Sequence, residues 1–386
     1  MNGHRYSPQE MLARLVGFDT TSANSNLDLI EFVRGYLAAH GVAAHVLASE
    51  DGQKANLFAT IGPHERRGIG LSGHTDVVPV TGQKWSSDPF TLTARDGRLY
   101  GRGSCDMKGF LAVALALVPD MVAAPLSDPL HLLLSYDEEV GCTGVRGMIE
   151  AFGRKLVKPR LIIVGEPTSM QVVDAHKSVQ SFTTTVTGVA AHSSMIHLGA
   201  NAIFAAGEIV RELADLRDEM IAHGDPSGRF DPPYSTIHVG RINGGTARNI
   251  VPQSCTIEWE MRGLPDADPK AVKARIELFS RQRVLPSLRA ISRDTDITTK
   301  PGSTVPGLAP EAAGEAAALG LKLALGDEIG AVSYGTEAGL FQRAEIAAIV
   351  CGPGDIAQAH KPDEFVAISQ LEECAAFVRR LIETAS

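Results

Sequence analysis

Leu71-Ser-Gly-His74-Thr-Asp76, Leu132-Leu-Leu-Ser-Tyr-Asp-Glu138-Glu139 and Leu161-Ile-Ile-Val-Gly-Glu166-Pro-Thr each carry an apolar run into acidic or imidazole side chains. Between the first two lies a glycine-rich turn, Gly101-Arg-Gly-Ser-Cys-Asp106-Met-Lys-Gly109. If the apolar runs are strands of one sheet, their carboxyl ends bring five carboxylates and the His74 imidazole into one crevice. In open α/β sheets, ligands gather beyond the carboxyl ends of the strands. A carboxylate buried without a partner costs on the order of several kcal/mol, so five together call for a cation. The simplest is a metal ion, and its most common work at such a site is hydrolysis.

The flanking sequence supports a sheet. Amphipathic helices are expected over 8–17 and 27–39, the second stopped by Gly41. Strands are expected near 42–48, 56–61 and 68–72, and a helix from Lys108 to about Ala124. A strand near 130–136, a helix near 143–154 and a strand near 160–164 continue the alternation, which predicts a layered α/β fold. The texture changes after about Lys177. A β-branched strand, Ser181-Phe-Thr-Thr-Thr-Val-Thr-Gly188, leads to a helix near 200–218. Strands near 235–242 and 253–262 and a helix near 268–284 follow. This βαββα segment reads as a small two-layer α+β insert. A polar stretch near 295–308 is expected to mark the return, followed by a helix near 310–325, a strand near 346–351 and a helix near 370–384.

The chain has 386 residues, long for one core, so two domains are expected. Its net charge of −9 argues against nucleic acid or an anionic membrane as partner. Five scattered cysteines with no C-x-x-C pair fit a reducing compartment, and cytoplasm is the expected location. Ser7-Pro8-Gln9-Glu10 reads as a helix-capping box rather than part of a signal peptide. The apolar stretch around Phe110 to Val118 is too short to span a bilayer.

Each acidic group has an ordinary reading beside the functional one. His74-x-Asp76 occurs by chance in turns, but a neutral imidazole is a good zinc ligand and Asp76 is placed to hold its other nitrogen. Asp106 stands where a dinucleotide fingerprint would want a third glycine, so that motif is excluded. Glu138 and Glu139 point apart as neighbours, so one can ligate while the other faces a water as general base. His360, far along the chain, gains weight because the site is short of neutral ligands.

These residues are recognisable together. His74-Thr-Asp76-Val-Val-Pro, Gly101-Arg-Gly-Ser-Cys-Asp106-Met-Lys-Gly, Asp137-Glu138-Glu139 with Gly141, and Gly165-Glu166-Pro-Thr resemble the M20 family of co-catalytic zinc hydrolases. The match runs in order through nearly the whole chain. Trp85-Ser-Ser-Asp-Pro-Phe-Thr-Leu-Thr, Ala175-His-Lys, Tyr334-Gly-Thr-Glu337-Ala and Gly352-Pro-Gly-Asp-Ile-Ala-Gln-Ala-His360-Lys-Pro-Asp-Glu resemble the branch of that family that removes acetate from N2-acetyl-L-ornithine.

The resemblance implies an α/β/α catalytic domain over 1–177 and 289–386, interrupted by a lid and dimerisation domain over 178–288. It implies two zinc ions per subunit, with cobalt or manganese able to substitute. Asp106 would bridge them. His74 and Glu166 would complete one site, and Glu139 with His360 the other. Asp76 would orient His74, and Glu138 would be the general base. His192 would stabilise the oxyanion from across a homodimer. Asn249, also acting across the dimer interface, Arg262 and Thr336 would contact the substrate. Glu337 is expected to favour a cationic side chain such as the ornithine ammonium, against the alternatives of capping a helix or pairing with Lys or Arg. Other readings are a related M20 deacylase acting on succinylated or formylated amines or dipeptides, a metal-binding module without catalysis, and a cysteine hydrolase built on Cys105.

Overall fold

The computed structural model describes residues 3–311 and 314–386. The chain divides into two compact units, one of residues 1–175, 308–331 and 336–386, the other of residues 176–307 and 332–335.

The first unit is built on an eight-stranded sheet. In spatial order its strands are Ala44–Ala48, Ala55–Ile61, Leu130–Ser135, Ile69–His74, Leu161–Val164, Ala347–Val350, Val172–His176 and Ile329–Val332. The four central strands, from Leu130–Ser135 to Ala347–Val350, are mutually parallel. They are buried on both faces, as their unbroken apolar composition requires. Their carboxyl ends therefore open on the same edge of the sheet. Helix Lys108–Ala116 is buried along its whole length and packs with Pro8–Val16 and Ile368–Ala385. The predicted capping box is present, with Ser7 and Glu10 bonded reciprocally. The helix expected to reach Ala124 breaks at Leu117, and Val118–Ala123 restarts with Pro119 in its first turn.

The second unit carries a four-stranded antiparallel sheet in the order Thr236–Gly244, Ser254–Gly263, Ser178–Thr187 and Asp296–Val305. Helices Ala202–His223 and Pro269–Phe279 cover one face. Alternate residues of Ser178–Thr187 are buried, as a one-sided strand predicts, and Phe182 stacks on Trp259 at 4.2 Å. One boundary is corrected. Residues 295–308 are not a return linker at the edge of a catalytic domain resuming at 289. Ten of them, Asp296–Val305, form the fourth strand of this sheet, so the second unit runs to 307. The Pro301 and Gly302 that suggested a linker lie at the register shift of an edge strand, where a missing donor is tolerated. Among the described residues no helix is long and apolar enough to cross a membrane.

Candidate metal centre

Three parallel strands end beside one another and deliver their next residues to the same place. Ile69–His74 ends in His74, Leu130–Ser135 leads to Glu138 and Glu139, and Leu161–Val164 leads to Glu166. The fourth, Ala347–Val350, leads into the loop that carries His360. His74 Nε2 lies 3.1 Å from Asp106 Oδ1 and 3.7 Å from Glu166 Oε1. His360 Nε2 lies 3.0 Å from Glu139 Oε2 and 3.4 Å from Asp106 Oδ2. Asp106 thus presents one oxygen to each imidazole. Ligand atoms of His74, Asp106 and Glu139, and of His74, Glu138 and Glu166, fall within 4.8 Å of one another, close enough to share an ion.

Burial sets the electrostatics. It pushes Glu138 up to about 8 and Glu139 up to about 7, aided by the carboxylates around them. Glu166 is raised well above its ordinary value by burial and by Asp106. Burial also works against ionised Asp106, but His360 and His74 win and hold it well below the usual range. Burial would lower His74, yet its bond to Asp106 and the charges of Glu166 and Glu138 carry it well above its usual value. Bonds to Asp106 and Glu139 raise His360 to about 10. The ion-pair partners of Asp106, Glu139 and Glu166 are these two imidazoles, too little positive charge for the acidic groups assembled. Imidazole nitrogens and carboxylate oxygens suit zinc, manganese and cobalt alike, so the donor set fits a divalent metal centre.

The surroundings hold the ligands in place. His74 Nδ1 is bonded to the main-chain oxygen of Asp76 at 2.9 Å, while the Asp76 carboxylate stands 3.6 Å off. Asp76 therefore orients His74 chiefly through its backbone. Its carboxylate has a different role. It accepts from the amides of Glu138 and Glu139 at 3.1 and 3.3 Å and from Ser22 Oγ at 2.7 Å. Lys54 pairs with Asp137 and fixes the start of the same loop.

Sequence reasoning overlooked Glu364. This fully buried carboxylate accepts from the amides of Gly103, Cys105 and Asp106 at 3.0, 2.9 and 3.0 Å and pairs with buried Arg102 at 2.7 Å. Gln83 ties Arg102 to the main-chain oxygen of His360. Both residues stood inside recognised motifs, but nothing in the pattern marked their partnership.

The remaining residues separate. Thr336 and Glu337 lie in the first unit and are sealed from solvent at 0% and 1% exposure. The Thr336 hydroxyl accepts from the Ala338 amide at 3.1 Å, at the entry to the short helix Ala338–Arg343. Glu337 neither caps that helix nor pairs with Lys or Arg; Ser72 Oγ approaches its Oε2 at 3.4 Å and its Oε1 has no partner. His192, Asn249 and Arg262 belong to the second unit. His192 bridges Ile250, and the Ser193 amide donates to the Asn249 carbonyl at 3.0 Å, so those two sites are neighbours. The Ser194 amide donates to His192 Nδ1, which places the proton of a neutral ring on Nε2. Arg262 Nε pairs with Glu260 at 3.1 Å. Cys105 is buried, donates to the Asp355 carbonyl, and its thiol is pushed far above its ordinary value by burial, which is unfit for a nucleophile.

The model of Peptidase family M20/M25/M40 matches residues 70–384. An acetylornithine deacetylase from Myxococcus xanthus is 35% identical over 382 residues, covering 96% of this chain and 95% of that protein. One from Proteus mirabilis is 34% identical over 372 residues, covering 95% and 92%. Among solved structures, an M20 family metallo-carboxypeptidase from Sulfolobus solfataricus superposes with a TM-score of 0.76 at 19% identity, covering 98% of this chain and 99% of that one. A tripeptidase from Staphylococcus aureus gives 0.75 at 18% identity, covering 99% of each chain.

Proposed function

Because the chain belongs to peptidase family M20/M25/M40 and is a metal-dependent amide hydrolase, we propose that it removes acetate from N2-acetyl-L-ornithine to give L-ornithine, a step of arginine synthesis. The observation that carries the hydrolytic reading is Glu138, a carboxylate within 4.8 Å of ligand atoms of His74 and Glu166 yet additional to the proposed ligand set. A site that only stored metal would have no use for it. The choice of substrate rests on the near full-length likeness to acetylornithine deacetylases.

We assign His74, Asp106 and Glu166 to one ion and Asp106, Glu139 and His360 to a second, zinc in both. A structural relative from Bacillus subtilis is itself described as a dinuclear metal-binding peptidase. Bound divalent cations would lower the pKa of water and polarise the acyl carbonyl. Glu138 takes the proton of the attacking water and returns it to the departing nitrogen. Asp76 keeps Glu138 in register by holding its amide. Arg262 offers its Nη edge to the substrate carboxylate.

We further propose a homodimer in which His192 Nε2–H of one subunit donates to the developing oxyanion in its partner, with Asn249 alongside. Support comes from the second unit, where Ile196, Leu198 and Phe204 stand 68%, 55% and 75% exposed on a face that also has the free edge of Thr236–Gly244. All five cysteines are free and buried, which supports a reducing, cytoplasmic setting.

The test is initial rates of chelated enzyme with zinc added back in steps, on N2-acetylornithine beside a succinylated diamino acid, formylated amines and dipeptides. Acetylornithine should give the highest kcat/KM. A higher value on any of the others would replace the substrate named here while leaving the hydrolase.

A further inference from the structure

Cys142 lies at the base of the metal centre and has had no role so far. Its Sγ is 3.1 Å from Glu138 Oε1, within range of an S–H···O bond. The same turn holds Glu138 by its backbone, because the Glu138 carbonyl accepts from the amides of Gly141 and Cys142 at 2.9 and 2.8 Å. Cys142 is 1% exposed and sits at φ 52°, in the left-handed region where glycine is the ordinary choice. A β-carbon there costs conformational energy, and such outliers persist where the surroundings over-determine them. The side chain held at that cost touches the carboxylate of Glu138.

We propose that Cys142 is a positioning residue for the general base: its thiol fixes one oxygen of Glu138 and so sets where the other oxygen points. This rests on the reading of Glu138 as base. A glutamate side chain has three rotatable bonds, and the plane of its carboxyl turns freely unless something holds it. Asp76 fixes the Glu138 amide but not the carboxyl. The thiol supplies the missing constraint, leaving the second oxygen free for the reacting water. Burial and the nearby Glu138 and Glu337 carboxylates push the thiol well above its ordinary value, so it stays S–H and remains a donor. The same environment makes it a poor nucleophile, so the role is one of direction, not covalent chemistry.

The experiment compares Cys142→Ser, Cys142→Ala and Cys142→Val at saturating zinc, measuring kcat, KM and zinc affinity. Ala and Val should lose about ten- to a hundredfold in kcat, the cost of a misdirected reacting group, with KM and zinc affinity within about twofold of the parent. Ser, which keeps a donor, should recover most of kcat. Parental kcat in Ala and Val overturns the proposal, as does a Ser variant no better than Val, which would assign the effect to packing. A second reading needs no turnover. In metal-free protein, the S–H stretching band that disappears in Cys142→Ser should shift in Glu138→Gln, where the acceptor changes. An unmoved band overturns the hydrogen bond itself. If the parent enzyme hydrolyses none of the acylated substrates, the hydrolytic assignment fails by that result alone, and the infrared band still decides the contact.

Discussion

Glu364 holds Asp106 by its backbone: one carboxylate oxygen, Oε1, accepts from the Cys105 and Asp106 amides at 2.9 and 3.0 Å. The other takes Gly103 and Arg102. The Asp106 loop is thus shaped by a residue only four positions past His360. Glu364→Ala would strip three amides of their acceptor and leave the buried Arg102 charge unpaired, a loss of about 3–5 kcal/mol. The expected result is a large fall in melting temperature and at least a tenfold fall in zinc affinity by calorimetry. Glu364→Gln, which keeps an acceptor, should lie between. Zinc affinity unchanged in Ala would show that the loop needs no anchor.

Glu138→Gln should retain zinc and lose turnover. A positioned acid–base group contributes about 10²–10⁴-fold, so kcat should fall by that much while zinc titration is unaltered. Loss of zinc together with activity would make Glu138 a ligand, a role its proximity to His74 and Glu166 also permits.

Removal of metal should itself destabilise the fold. Apart from two imidazoles, the acidic groups gathered at the sheet edge have one another for company. Zinc at a hundred times its dissociation constant adds about 2.7 kcal/mol by mass action. Scanning calorimetry of chelated and reloaded protein measures this. Glu139→Ala should narrow the gap between the two melting temperatures.

Two histidines away from the metal ligands make stability fall on acidification. His131 bonds Thr60 through Nδ1 and the Arg67 carbonyl through Nε2, and burial lowers it to about 4. His176 is lowered to about 4 for the same reason. Below the unfolded value of about 6.5 the unfolded chain takes up a proton that the folded chain refuses, until about pH 4. Stability is therefore flat for these groups above about pH 6.5 and declines from there down to about 4. Each contributes on the order of 3 kcal/mol across that window. Urea midpoints of chelated protein at stepped pH should show the slope, and His131→Gln should make it shallower.

Gly352 has no room for a side chain. A Cβ there would lie 2.0 Å from the Gly165 carbonyl oxygen, a backbone atom that cannot step aside without moving Glu166. Gly352→Ala is expected to cost about 1–3 kcal/mol or more in urea unfolding and to weaken zinc binding in parallel. A stable variant with full zinc affinity would mean that the two strand ends part without consequence.

The four parallel strands at the centre of the first sheet were legible because they are buried and read as unbroken apolar runs, whereas Val172–His176 and Ile329–Val332, short and at or next to its edge, were missed. Of the proposed ligands, His74, Glu139 and Glu166 stood out because each follows such a run, whereas Asp106 sits in a glycine-rich turn and His360 in a loop well past its strand, so these two rested on the family resemblance. The fourth strand of the second unit was not legible, since Asp296–Val305 is an exposed edge with Pro301 and Gly302 in it, and edges are under little pressure to be apolar. The three-stranded sheet of Thr93–Arg95, Arg98–Tyr100 and Phe365–Ala367 also escaped notice, being three residues deep and closed by a partner far along the chain. Partnership was the common blind spot. Glu364 with Arg102, Cys142 with Glu138 and Asp76 with the 138–139 amides are pairings of ordinary residue types, and the chain does not announce which of two polar groups will meet.

The order in which the chain leaves the ribosome has a bearing on the metal centre. Four of the five proposed ligands are in hand once Glu166 has been made, yet His360 and Glu364, the clasp for the Asp106 loop, come far later in the chain. A nascent chain would therefore carry a half-formed, strongly anionic pit until His360 and Glu364, just before helix Ile368–Ala385, have left the ribosome's exit tunnel. Polypeptides cut short before that helix should be open to proteolysis at the Gly101–Asp106 turn, whatever zinc the cell provides.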